Sequence, residues 1–401
     1  MKKITVIGDI MVEPPFLKQA NKDGGYDFYT PMKALTHILD KSDYVIANLE
    51  TPLAGENAKY TDRIVSFNAP DDVADAIKKL GVDVVSTANN HCLDRGFEGL
   101  ERTLRVLDEK KIAHTGTYPK GFSGDRNHYF TVGDTKFALI AYAHSTNYGI
   151  SEDLPQGETA VCVNNSRPLS GGAPTYKRQP ENYYTTLKYF RELLGRGLLW
   201  EETVKLRAAM GISFVATDEN VSYTEVDEYV KKIAADYREA RKNADIVLFY
   251  PHVGGQFNVE PGNYSKYFIH KCAQIGFDGI FAAHSHTTQK AEYINGTPCF
   301  YSVGNVTMSP CTFYQVPESL PEYGLAIHLY VDEKEIQKLT ISIIKMVEDE
   351  NTPLHVVPVD MLYAELDEEG KAKLMADVAA VYKRVTGREI PSEIPKKEYD
   401  F

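Results

Sequence analysis

The chain of 401 residues reads as an α/β protein. Three observations predict that class. Short runs rich in β-branched and aromatic residues recur through the first two thirds. These runs are apolar on both faces, as expected of strands covered on both sides. Amphipathic segments of helical spacing lie between them, and strand–helix alternation predicts a largely parallel sheet.

Along the chain, ITVIG at 4–8 is the first strand and YVIANL at 44–49 the second. DDVADAIKKLG at 71–81 is a helix: acidic residues open it, lysines end it and Gly81 closes it. DVVST at 83–87 is a strand, and GFEGLERTLRVLDEKK at 96–111 is a second helix. Strands IAHTG at 112–116 and KFALIAYA at 136–143 precede a break in the rhythm. Residues 145–223 form a long insertion, rich in Gly, Pro and Asn at first, then helical through Leu187–Leu199. So long a departure is expected to be a lid or binding loop. Alternation resumes with DIVLFYPH at 245–252, GIFAAH at 279–284 and CFYSVGN at 299–305. Later strands, GLAIHLYV and KLTISIIKM, carry no polar cluster at their ends, and a helix near 367–386 precedes a polar tail. The expected division is one domain over 1–330, interrupted by the insertion, with 331–401 as an extension packed on it.

A hydrophobic share of 43% and a charged share of 25% suit a soluble globular protein. A net charge of −12 argues against a broad nucleic-acid or anionic-membrane surface. Five scattered cysteines (92, 162, 272, 299 and 311) form no CxxC pair, so reduced thiols are expected rather than a disulfide frame or zinc ribbon. MKKITVIGDIM enters a strand pattern directly, without the apolar core of a secretory signal. No apolar run approaches the ~20 residues needed to cross a bilayer. A cytoplasmic protein is the expectation.

The chemistry gathers at the strand tips. Asp9 follows the first strand and Glu50 the second; Asn90 and His91 follow DVVST; His252 ends DIVLFYPH; His284 and His286 follow GIFAA. Ligands in open α/β sheets bind outside the carboxyl ends of the strands, so these groups are expected to converge. A mixed oxygen and nitrogen set without thiolate favours Mn, Fe or Zn. One carboxylate can bridge two ions, an arrangement suited to hydrolysis at phosphorus. His144 is pocket wall or packing, and Met11 is a core residue. Candidate substrate groups are Arg63, Arg95, Asn305 and, in the insertion, Arg167, Lys177 and Arg178, each able to meet an anionic small-molecule or oligomeric substrate. Asn305 is explained equally well by a turn at Gly304–Asn305.

The set GDIM, NLE, NNHCLDRG, PHVGG, AHSH and YSVGN, spanning roughly 3–310, resembles the CapA family of poly-γ-glutamate capsule biosynthesis, within the calcineurin-like metallophosphoesterases. That resemblance implies a four-layer α/β/β/α sandwich of metallophosphoesterase type. It implies one or two divalent ions: Asp9, Glu50 and His286 would hold one, and Glu50, Asn90, His252 and His284 the other. His91 would be the general acid, leaving Asp94 either to orient it or to cap the following helix. Asp9 is followed by Ile10 and Met11, where the superfamily usually has Asp-x-His, and Glu50 stands where it has a bridging aspartate; both features are typical of the CapA branch. The function expected is metal-dependent hydrolysis of a phosphoester. The alternatives are processing of a γ-glutamyl substrate and a non-catalytic metal-containing binding protein.

Overall fold

The computed structural model describes residues 1–61, 66–147, 162–164, scattered positions within 186–210, 215–310, 312, 316–349 and 352–401. Its elements run β1 (Lys2–Ile10), α1 (Pro14–Ala20), β2 (Asn21–Lys22), β3 (Gly25–Tyr26), α2 (Tyr29–Met32), α3 (Thr36–Leu39), β4 (Tyr44–Leu49), α4 (Asp72–Lys79), β5 (Val84–Ser86), α5 (Gly96–Glu109), β6 (Ala113–Thr115), β7 (His128–Val132) and β8 (Thr135–Ala143). After most of the insertion come α6 (Tyr223–Asn243), β9 (Ile246–His252), α7 (Asn263–Ile275), β10 (Gly279–Phe281), β11 (Ala291–Ile294), β12 (Thr297–Phe300) and β13 (Asn305–Thr307). The chain then forms β14 (Tyr323–Asp332), β15 (Glu335–Val347), β16 (His355–Pro358), α8 (Val359–Glu365), α9 (Glu368–Thr386) and β17 (Tyr399–Asp400).

Two mixed sheets stack face to face. The first has the order β16-β15-β14-β1-β4-β5-β6, with β13 beside the end of β1 and β17 on β15; the second has the order β11-β12-β10-β9-β8-β7. The central pairs β1–β4, β4–β5 and β5–β6 are parallel, as are β8–β9, β9–β10 and β10–β12.

Residue alternation builds the layers. Ile4, Val6 and Ile46 of the first sheet meet Phe137, Leu139, Ala141, Ile246, Leu248 and Tyr250 of the second in one core. The intervening residues Val45, Ala47 and Leu49 turn outward onto α1, α4 and α5. Those of the second sheet, Ala138, Ile140, Val247 and Phe249, turn onto α6 and α7. Side chains of period two therefore feed three cores between four layers, α/β/β/α. Burying each large aliphatic or aromatic side chain contributes about 1.5–3 kcal/mol. Hydrogen bonds cross this central core, among them one from the Tyr250 hydroxyl to the Ile7 carbonyl at 2.9 Å and one between Tyr44 Oη and His128 Nε2 at 2.9 Å.

Helix ends follow local chemistry. Asp367 caps α9 through the Gly370 amide at 2.8 Å, and Gly387 beyond its end takes φ 69°. Leu374, Val378, Val381, Tyr382 and Val385 of α9 join the core between the sheets. The β14–β15 hairpin lies beside β1, and the expected boundary at residue 330 falls within β14.

CFYSVGN, expected to be one strand, is divided between two sheets. β12 ends at Phe300 in the second sheet and β13 begins at Asn305 in the first. The crossing turns at Gly304, with φ 73°, whose carbonyl lies where a Cβ on Gly8 would stand, 1.9 Å away. Two glycines allow the backbones of β1 and the crossing to touch. Cys92, Cys162, Cys272 and Cys299 are buried free thiols. Among the described residues, no helix is long and apolar enough to cross a membrane.

Candidate metal centre

The parallel strands of both sheets end at one side of the sandwich. β1 and β4 bring Asp9 level with Asn48, two residues before Glu50. β8 and β9 bring Ala143 level with His252, and His252 bridges to Ala283 just before His284. The two sheets thus contribute opposite halves of one cluster.

Asp9, Glu50, Asn90, His252, His284 and His286 are all buried. The His252 Nε2 lies 2.8 Å from Asn90 Oδ1, 3.1 Å from His284 Nδ1 and 3.2 Å from Glu50 Oε1. On the other side His286 places Nδ1 3.7 Å from Asp9 Oδ2 and Nε2 3.8 Å from Glu50 Oε1. Two triplets result, Glu50–His252–His284 and Asp9–Glu50–His286, each with donor atoms within 4.8 Å of one another. Glu50 belongs to both.

These residues suit divalent ions. Among the described residues, neither oxygen of Glu50 nor Nε2 of His284 has a hydrogen-bond partner, although all three are buried. A buried charge without a partner is costly, and a cation removes that cost for a carboxylate and uses the lone pair of an imidazole. Titration points the same way. Burial, partly offset by the Asn48 hydrogen bond, raises the Asp9 carboxyl to about 6. Burial and the neighbouring Asp9 charge push Glu50 well up. Burial holds His252 and His284 well below the usual imidazole value, and His286 at about 4. The imidazoles are therefore neutral, the form that binds a metal.

The backbone at the His-x-His turn is unusual. His284 has φ 103° and His286 φ 54°. Left-handed conformations at such residues cost of order 1–3 kcal/mol each and persist where the surroundings enforce them.

His91 stands beside the triplets and belongs to neither. Its Nδ1 is 2.6 Å from Asp94 Oδ2, which also accepts the Phe67 amide at 2.6 Å. The Phe67 ring covers the imidazole at 4.2 Å between centroids. No side chain caps α5, so the Asp94 carboxylate serves His91 and Phe67 rather than the helix end.

Of the expected substrate groups, Arg63, Arg167, Lys177 and Arg178 lie outside the described residues, as does most of the insertion. Arg95 donates to the carbonyls of Ala58, Lys59 and Asp94 and to Ser66 Oγ, an anchoring set rather than a ligand-facing one. Asn305 is committed to His286: its Oδ1 is 3.0 Å from Nδ1 and its Nδ2 donates to the His286 carbonyl at 3.0 Å. Met11 is buried in the apolar interior.

Three residues around the cluster, Asn48, Asn89 and Asn147, escaped the sequence reading, and a fourth, His144, was read there as pocket wall or packing. Asn48 donates to Asp9 Oδ1 at 2.7 Å, and Asn89 donates to Asn48 Oδ1 at 3.2 Å while accepting the His91 amide. Asn147 brings Nδ2 to 3.2 Å from His91 Nδ1. His144 accepts the Gly254 amide at 2.9 Å and meets His284 edge-on at 4.6 Å. Asn48 shares the strand face of Glu50, a period-two signal available in the sequence; Asn147 carried no signal.

A sequence model of the bacterial capsule synthesis protein PGA_cap family matches residues 3–309. The chain belongs to the PGA_cap family. PGA_cap is related to the calcineurin-like metallophosphoesterases, and the resemblance drawn from the motifs is thereby shown. The chain is 22% identical over 300 residues to the PGA biosynthesis protein CapA of Bacillus subtilis, covering 75% of this chain and 61% of that protein. It is 22% identical over 307 residues to the capsule biosynthesis protein CapA of Bacillus anthracis, covering 75% and 58%. A probable polyglutamine synthesis accessory protein of Mycobacterium tuberculosis is 20% identical over 265 residues, covering 66% and 55%. The chain thus spans about three fifths of the length of the two Bacillus relatives. The PGA_cap match covers every residue of the two triplets, together with His91 and Asp94, and stops before β14.

Proposed function

We propose that this PGA_cap protein is a metal-dependent hydrolase acting on a phosphoester. The observation that carries the reading is Glu50, buried, without hydrogen bonds and shared by both triplets, with the paired His91 and Asp94 alongside. A pair of divalent ions, Mn, Fe or Zn, would polarise the phosphoryl oxygens and lower the pKa of a water molecule. Asp9, Glu50 and His286 would hold one ion, and Glu50, Asn90, His252 and His284 the other. Asp94 accepts from His91 Nδ1 and leaves Nε2 to deliver a proton to the departing oxygen. Phe67 keeps the ring in place and excludes water from that side.

The test uses protein reconstituted with Mn and an aryl phosphate ester. Turnover is expected, with loss on chelation and return on adding metal. His91→Ala is expected to bind metal but turn over slowly; His252→Ala is expected to lose both. Turnover indifferent to chelator would overturn the reading. A second reading, processing of a γ-glutamyl chain, is favoured by the names of the Bacillus relatives. Release of glutamate from γ-glutamyl oligomers by the same preparation, with phosphoesters untouched, would select it.

A further inference from the structure

The His-x-His turn is braced from outside the family match. Arg384, on α9, donates through Nη1 to Thr287 Oγ1 at 2.9 Å and to the Ser319 carbonyl at 2.7 Å. Thr287 follows His286 directly, and its hydroxyl donates to the same Ser319 carbonyl at 2.6 Å. The bracing continues on both sides. Ser319 Oγ donates to the Phe257 carbonyl at 2.5 Å, the Phe257 amide donates to Ser285 at 2.7 Å, and Ser285 Oγ donates to Thr287 at 2.7 Å. Phe257 in this ring of contacts, and His286 and Leu320 next to its members Thr287 and Ser319, all carry positive φ, at 55°, 54° and 54°. Three residues in conformations that side chains disfavour are tied together, and the one cationic group among the ties comes from α9. The helix itself is fixed by the apolar face that it buries between the sheets.

We propose that Arg384 is a positioning residue for the Asp9–Glu50–His286 triplet, holding His286 in its left-handed conformation through Thr287 and Ser319. The inference rests on the reading of the triplets as metal ligands. A planar guanidinium suits the role, since it addresses a hydroxyl and a carbonyl from fixed directions. His284 takes its own restraints from elsewhere: its amide donates to Asp9 at 3.3 Å and its ring meets His144. Loss of Arg384 therefore acts on one triplet and spares the other.

The experiment is a Co(II) titration of the full chain, followed by calorimetry and by the visible spectrum of the bound ion. His286→Ala and His284→Ala serve as references for loss of either triplet. Arg384→Ala is expected to weaken uptake about 10–100-fold, the usual effect of removing a group that orients a ligand. Its titration pattern and spectrum should match those of His286→Ala and not those of His284→Ala, with Arg384→Lys recovering part of the loss. Thr287→Val, which deletes the bridging hydroxyl at nearly constant volume, should reproduce the effect and decides the matter if Arg384→Ala does not fold. Native-like titrations for Arg384→Ala or Thr287→Val would overturn the inference, as would a pattern matching His284→Ala. A native protein that takes up no Co(II) would instead overturn the metal reading, and this inference with it.

Discussion

At the scale of single residues, the chemistry depends on which polar atoms are held and which are left open. Asp94 holds one side of His91 at 2.6 Å, so Asp94→Asn is expected to leave metal uptake intact and lower kcat. The loss should fall within the about 10²–10⁴-fold that general acid–base catalysis contributes, read as kcat against KM in steady-state kinetics. Asn48 acts on the other half of the cluster. Asn48→Leu removes the donor to the buried Asp9 oxygen and should cost about 1–3 kcal/mol in urea unfolding, with weaker metal uptake. The acids and imidazoles were legible because a carboxylate or a histidine at a strand tip stands out from turn-forming residues. Asn48, Asn89 and Asn147 were not, because asparagine near a strand end is also an ordinary turn residue. Asn305 shows the same ambiguity from the other direction: read as a substrate group or a turn residue, it is found orienting His286.

At the scale of elements, the crossing from β12 to β13 and the C-terminal tail carry the consequences. A methyl group on Gly8 would stand 1.9 Å from the Gly304 carbonyl, which is backbone and has nowhere to move without parting β1 from β13. Gly8→Ala is expected to destabilise by at least the about 1–3 kcal/mol of ordinary overpacking, seen as a lowered Tm. The tail is held through Glu398. Burial alone would raise its carboxyl, but hydrogen bonds from Lys3, Tyr330 and Thr340 prevail and hold it at about 2, against 4.5 ordinarily. A depressed folded-state value adds stability above 4.5 that fades as the pH falls toward 2. Glu398→Gln should therefore lower stability by on the order of 1–3 kcal/mol at pH 7, and its deficit against the native chain should shrink by pH 3 in parallel melts. Long apolar strands were readable from composition. The edge strands β7 and β11 were not: HYFTV and AEYI are short, partly exposed and too brief to show a period.

At the scale of the whole molecule, stability and occupancy of the cluster are linked. Ligands that bind only the folded chain stabilise it, by about 2.7 kcal/mol at a hundred times Kd. Saturating Mn(II) should raise Tm, and chelator should return it to the metal-free value; scanning calorimetry reads both. The α/β class was legible from alternation alone, but the division into two stacked sheets was not. Strands from either sheet present the same two-sided apolar pattern, and only the family resemblance implied four layers. Each triplet draws on both sheets, while phenol links, Tyr250 to the Ile7 carbonyl and Tyr44 to His128, span the gap. On the proposed reading, any sliding of one slab over its mate would detune both ion seats together, which makes the resistance of the interior to shear a determinant of the proposed reaction.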